Sequence, residues 1–228
     1  MYRHALKAPA TTLISKSFFS VPAARHAPLL TLSAARTMAT ASSRVSDRIK
    51  HDHRELETYY NKIKTATSED EKVRWQNQFV WELARHSIAE EIVVYPAMEK
   101  YLPDGVKMAE KDRSEHQIVK EKLYTFQKLS PSDPQFVPTI DSLWQALSQH
   151  IAEEERDDLP SLEAAIEEAE SGRLANSFAR TKHFVPTQSH PSAPDRPPYE
   201  TAAGLLAAPI DKLMDLFKKF PNQDETKV

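Results

Sequence analysis

The sequence predicts an all-α protein built on an up-down-up-down four-helix bundle, and three observations carry that prediction. Glycine is scarce, 3 in 228 residues, so few tight turns or left-handed positions can be built and long helices are favoured over a sheet. Four stretches carry apolar residues at steps of three and four, the period of a helix with one buried face. The connections between them are short and hold turn-forming residues, which makes neighbouring helices antiparallel.

Composition narrows the function classes. The formal net charge is -3, with no basic surplus of the kind that meets nucleic acid. With no cysteine there is no disulfide framework, thiolate ligand or thiol nucleophile. No apolar run approaches the roughly 20 residues a membrane-spanning helix needs.

Residues 1–46 contain no Asp or Glu but carry Arg3, Lys7, Lys16, Arg25, Arg36 and Arg44 among Ser, Thr and Ala. That composition reads as a mitochondrial transit peptide over residues 1–43, or as a disordered tail. Translation from Met38 would instead leave a cytoplasmic form. The bundle is expected over residues 44–171, a short helix and Pro-rich linker over 172–198, and an amphipathic helix with a tail over 199–228.

The first helix is expected from Val45 to Thr65, with the stripe Ile49, His53, Leu56, Tyr60, Ile63. His53 takes a core-facing slot, while His51 lies about 200° further round and is expected in solvent. Ser68 with Glu71 is a capping-box signature for the second helix, expected from Glu69 to Tyr101 with a kink at Pro96. Its stripe reads Trp75, Phe79, Leu83, His86, Glu90, Val94, Met98. Pro103-Asp104-Gly105 forms the turn out. The third helix is expected from Val106 to Leu129, with Ala109, Asp112, His116, Val119, Leu123 and Phe126 on one face. Asp133 before Pro134 starts the fourth, expected from Phe136 to Glu170 with Ile140, Leu143, Leu147, His150 and Glu154 inward. Pro160 is expected to bend it and Gly172 to end the segment. A short helix from Leu174 to Phe184 and an extended linker from Val185 to Pro198, outside the core, come next. In the last helix Leu206, Ile210, Leu213, Phe217 and Phe220 face one way. Docking of that face on the bundle is expected in preference to a membrane surface or a partner.

The chemistry lies in the polar residues that interrupt the apolar stripes. His86 precedes Glu90, and His150 precedes Glu154, by four residues, so each pair leaves one helix face a turn apart. With His53 and His116, four imidazoles and two carboxylates aim inward. Burying two ionised carboxylates without a partner costs several kcal/mol each, and no Lys or Arg occupies an inward slot. A metal is the available counter-charge. Such a nitrogen and oxygen set suits iron ahead of manganese or zinc. Six protein groups do not fill two six-coordinate ions, so room remains for an oxo or hydroxo bridge and for a small ligand such as dioxygen, nitric oxide or peroxide.

The segments Asp52-His53-Arg54-Glu55-Leu56, His86 to Pro96, Glu115-His116 and His150 to Glu155 resemble the hemerythrin-like, HHE cation-binding domain family over residues 45–170. The resemblance implies a four-helix bundle around a non-haem di-iron centre and puts His53, His86, Glu90, His116, His150 and Glu154 on the family's ligand positions. It departs from oxygen-carrying hemerythrins in having Asp112 where they have a second histidine. It departs again in having Glu154 four residues after His150, where they have aspartate at five. Reversible dioxygen carriage is therefore not implied. Asp112 is expected to accept an imidazole N–H, ahead of acting as a seventh ligand or lying in solvent. Glu91 and Tyr95 are expected at the surface or behind the ligands. The resulting expectation is a di-iron protein that binds or senses iron or small reactive molecules. The alternatives are a di-iron enzyme that reduces peroxide or nitric oxide or donates iron for cluster repair, and a metal-poor interaction module. Turnover would need an electron supply, and nothing in the sequence resembles a reductase domain.

Overall fold

The computed structural model describes residues 44–196 and 199–226. The transit-peptide expectation falls on residues 1–43, outside that range. The described residues are helical, with α1 Val45–Thr65, α2 Glu69–Ala89, α3 Tyr95–Tyr101, α4 Gly105–Phe126, α5 Phe136–Glu153, α6 Leu159–Ala165, α7 Glu168–Thr181 and α8 Tyr199–Asp215. Helix α1, the run α2–α3, helix α4 and the run α5–α6 are the four members of the bundle.

Local sequence explains the helix ends. Ser68 Oγ accepts the Glu71 amide at 3.1 Å, and the Glu71 carboxylate accepts the Thr67 amide at 3.1 Å, so the expected box closes one residue upstream of Ser68. The first amides of α1 are met by groups distant in sequence. Val45 N–H donates to Ser171 Oγ and Ser46 N–H to Glu163. Gly105 starts α4 directly against α3, where a Cβ would lie 1.9 Å from the Met98 carbonyl oxygen.

The long helices depart from regular α-helix at two kinds of place. Pro96 and Pro160 both lie within these long helical runs. Each is preceded by a π-helical turn, Glu90–Val94 and Glu154–Asp158, with the Tyr95 and Leu159 amides bonded back to the Glu90 and Glu154 carbonyls. Pro96 and Pro160 lack an N–H and crowd the preceding turn, and the wider π turn accommodates that misfit. The fourth helix breaks at Ile166–Glu167, where the backbone turns extended, and Gly172 lies inside α7. Helix α7 belongs to the core. Phe178 is buried edge-on to the His86 ring, 5.9 Å between centroids.

The C-terminal region also departs from expectation. Val185, Thr187 and Ser189 are buried, and Ser189 exchanges hydrogen bonds with Gln127 and donates to the Lys120 carbonyl. The Pro-rich segment therefore packs on α4. Helix α8 docks with its other face: Asp211 and Ala208 are buried while Leu206, Ile210, Leu213 and Phe217 are exposed. Asp211 accepts the Thr187 and Gln188 amides and pairs with His190. Three directed bonds to one carboxylate select this face over the apolar one.

The interior holds two apolar clusters. One gathers Leu56, Leu83, Val119 and Leu147 with Phe79, Phe126 and Phe136. The other gathers Ile49, Val94, Ala109 and Leu159 with Met98 and Phe178. On each bundle helix the chain passes from one cluster to the other through a polar step: His53, then His86 with Glu90, then Asp112 with His116, then His150 with Glu154.

Candidate metal centre

That polar layer brings all six expected ligand residues together, each 2% exposed or less. His53 Nε2 lies 3.3 Å from Glu154 Oε2, and His86 Nε2 lies 3.3 Å from Glu90 Oε2. His116 Nε2 is 3.4 Å from the same Glu90 oxygen and 3.1 Å from His150 Nε2. Among these six residues, two groups have ligand atoms within 4.8 Å of one another, His53 with His86 and Glu90, and Glu90 with His116 and His150. Glu90 is common to both.

Both oxygens of Glu90, both oxygens of Glu154, His53 Nε2 and Asp112 Oδ2 are buried without a hydrogen-bond partner. Orphaned buried polar atoms are rare and costly. Their concentration at one point, among imidazole nitrogens turned the same way, fits a bound cation.

Behind this layer a second set of carboxylates holds the far side of every ring. Nδ1 of His53 meets Glu155 at 2.8 Å, that of His86 meets Asp52 at 3.2 Å, that of His116 meets Glu91 at 3.1 Å, and that of His150 meets Glu115 at 2.9 Å. Each carboxylate is in turn held by a cation: Glu155 by Arg54, Asp52 by Lys182, Glu91 by Lys120 at 2.9 Å and Glu115 by Lys111 at 3.0 Å. With Nδ1 so occupied, each Nε2 is presented to the centre, the arrangement that orients metal-bound histidines.

The pattern repeats. Asp52 precedes His53 and orients His86, while Glu115 precedes His116 and orients His150. Glu91 follows Glu90 and Glu155 follows Glu154, and these two orient the histidines of α4 and α1. Sequence reasoning offered Glu91 as one group behind the ligands and missed the same role for Asp52, Glu115 and Glu155. The signal was present as two copies of His-x3-Glu-Glu-x4-Pro, at His86–Pro96 and His150–Pro160, interleaved with acid-His pairs.

Asp112 does not take its expected role, because all four Nδ1 positions have other partners. It is buried one turn before His116, close to Glu115 and His150. Burial and the charge of Asp158 push its carboxyl up to about 7. Tyr95 is fully buried, its hydroxyl 2.9 Å from His116 Nε2, and Glu91 is buried too, so neither lies at the surface. His51 is exposed, as expected.

Burial is the largest influence on all six groups, and against it the carboxylates beside His53 and His150 raise those two imidazoles. Burial and then the neighbouring Glu154 charge push the Glu90 carboxyl well above the usual range. Burial acts the same way on Glu154, but the His53 imidazole 3.3 Å away and those of His150 and His86 hold it down at about 2. Burial lowers His86, and lowers His116 to about 4, which favours the neutral imidazole in both.

The comparisons with known proteins agree with this site. The Hemerythrin HHE cation binding domain profile matches residues 44–162. An uncharacterized hemerythrin-like protein of Schizosaccharomyces pombe is 57% identical over 187 residues, covering 82% of this chain and 92% of that one. A DNA nickase of a Nostoc species is 22% identical over 141 residues, 62% of this chain and 40% of that one. Among solved structures, a Hemerythrin HHE cation binding domain-containing protein from Mycobacterium kansasii superposes with a TM-score of 0.54 at 25% identity, over 62% of this chain and 86% of that one. On the matched profile and the fission-yeast relative, this chain belongs to the hemerythrin HHE cation-binding domain family.

Proposed function

We propose that this protein holds two non-haem iron ions between its apolar clusters and binds or senses iron or a small reactive molecule such as dioxygen, nitric oxide or peroxide. The observation that carries the reading is Glu90, whose two unpartnered oxygens stand between a His53–His86 pair and a His116–His150 pair. His53 and His86 would hold one ion and His116 and His150 the other, with Glu90 and Glu154 shared. Asp112 is assigned as a seventh donor on the His150 side, because its buried Oδ2 has no hydrogen-bond partner. The mixed nitrogen and oxygen set favours iron over manganese or zinc. Iron so held supplies coordination positions and one-electron chemistry. The chain's own residues orient the imidazoles through their Nδ1 carboxylates and exclude bulk water. The clusters on either side supply that dry wall, with Phe178 against His86.

Nucleic acid has no place in this reading, given the formal charge of -3. The acid-free N-terminal composition supports mitochondrial import, with a cytoplasmic form if translation starts at Met38. Expression of the chain fused to a fluorescent protein, with and without residues 1–37, distinguishes the two.

The test of the site is elemental analysis with absorption spectroscopy on protein expressed with iron. About two irons per chain are expected, with absorption that changes when nitric oxide or peroxide is added. His86→Ala and His150→Ala should each lose iron while staying helical. A chain that takes up no iron, or a His86→Ala variant that keeps both ions, overturns the assignment.

A further inference from the structure

We propose that Lys111, Asp112, Glu115 and Glu153 form a port through which ferrous iron passes from solvent to the centre, a role that rests on the di-iron reading above. The Lys111 ammonium lies 2.7 Å from Glu153 Oε2, 3.0 Å from Glu115 Oε1 and 4.0 Å from Asp112 Oδ1. It takes the place of a small cation among three carboxylates. Exposure falls along the set, from 49% for the Lys111 side chain through 25% and 26% for Glu153 and Glu115 to 1% for Asp112. An acidic patch alone would gather only counter-ions. Asp112 adds a way inward. Its Oδ1 is the oxygen nearest the Lys111 ammonium, and its Oδ2 is buried without a hydrogen-bond partner. The same carboxylate has a ligand atom within 4.8 Å of those of Glu115 and His150.

The corners behind the four histidines share one plan and differ in charge. At His86 the Asp52 and Glu82 carboxylates meet Lys182 and Arg85, and at His116 Glu91 meets Lys120. At His53 Glu155 and Glu57 share Arg54. At His150 three carboxylates share Lys111, and the charge of a fourth, the buried Asp158, acts on Asp112. Among these four corners the excess of carboxylate is largest at His150. Such a focus of one sign raises the local concentration of the opposite ion and the rate at which it arrives. Carboxylates alone hold iron less firmly than a set that includes imidazoles. An ion that displaces the Lys111 ammonium is therefore drawn on by way of Asp112 to His150 and the centre. Lysine suits the outer position, because its ammonium is a hydrated point charge on a flexible stem and can swing aside and return.

The experiment is the rate of ferrous iron uptake by the metal-free full chain without oxygen, unbound iron being trapped by a chelator at timed intervals. Glu153→Gln should slow uptake about threefold at low salt and leave the final iron content unchanged. Lys111→Met should quicken uptake by about the same factor, since it removes the competing cation. Both effects should shrink as salt is added. Glu69→Gln makes the same charge change at an exposed carboxylate about 25 Å along α2 from His86, and it should load like the unaltered chain. A Glu153→Gln chain that loads as fast as Glu69→Gln overturns the port. So does a Lys111→Met chain that loads no faster than the unaltered one. A chain that takes up no iron at any time overturns the di-iron reading, and the port with it.

Discussion

Replacing Glu91 by glutamine separates what the supporting carboxylates do for the fold from what they do for the metal. Glu91 is 1% exposed, and its partners include His116 Nδ1 at 3.1 Å and the buried Lys120 ammonium at 2.9 Å. Glutamine keeps the shape and one acceptor but withdraws the charge, leaving an ammonium 8% exposed without its counter-ion. Breaking a buried pair by removing one partner costs about 3–5 kcal/mol. The retained carbonyl acceptor puts this substitution near the lower figure. At about 2–4 °C per kcal/mol for a domain of this size, the metal-free protein should melt about 6–12 °C lower. Adding Lys120→Met removes the stranded charge and should restore most of that loss. Iron affinity should not recover. His116 would still lack its carboxylate, and loss of such a support typically weakens binding about 10–100-fold. The measurements are thermal melts of the metal-free proteins and iron titration against a chelator. A single variant that melts within about 2 °C of the unaltered protein, or a double variant no more stable than the single, would refute the reasoning.

Three further outcomes are expected. Asp112→Ala should leave the metal-free fold intact and weaken one of the two ions by at least about tenfold, read by chelator competition; equal affinity for both ions would remove Asp112 from the ligand set. Gly105→Ala should destabilise by about 1–3 kcal/mol, since its Cβ would meet the Met98 carbonyl at 1.9 Å, and a melting temperature equal to that of the unaltered chain would count against the close approach. The Asp211 carboxylate raises the His190 pKa above 6.5. The stabilisation from that pair is therefore complete below pH 6.5 and fades as pH rises through the raised value. Hydrogen exchange of the Thr187 and Gln188 amides should quicken over that window, and His190→Gln should flatten the response; identical pH profiles for the two proteins would show the pair does not hold α8.

The sequence by itself determined the class of fold, the order of the bundle helices and six inward positions. Periodicity is a local property, and a polar residue on an apolar stripe is visible wherever the stripe is. His53, His86, Glu90, His116, His150 and Glu154 were legible for that reason. Tertiary structure alone decided which carboxylate stands behind which imidazole. Asp52 and His86, or Glu91 and His116, come from different helices, and their pairing depends on axial register and rotation that no single helix encodes. Asp112 looked like one of those supports, yet the four Nδ1 positions were filled from neighbouring helices and its Oδ2 was left buried without a hydrogen-bond partner. The π turns belong to the same class, because a proline announces a lost hydrogen bond but not that the turn before it widens. Helix α8 shows the limit most plainly. Its amphipathic pattern says that one face is apolar, whereas which face meets the bundle was settled by Asp211, whose amide and imidazole partners lie more than twenty residues upstream.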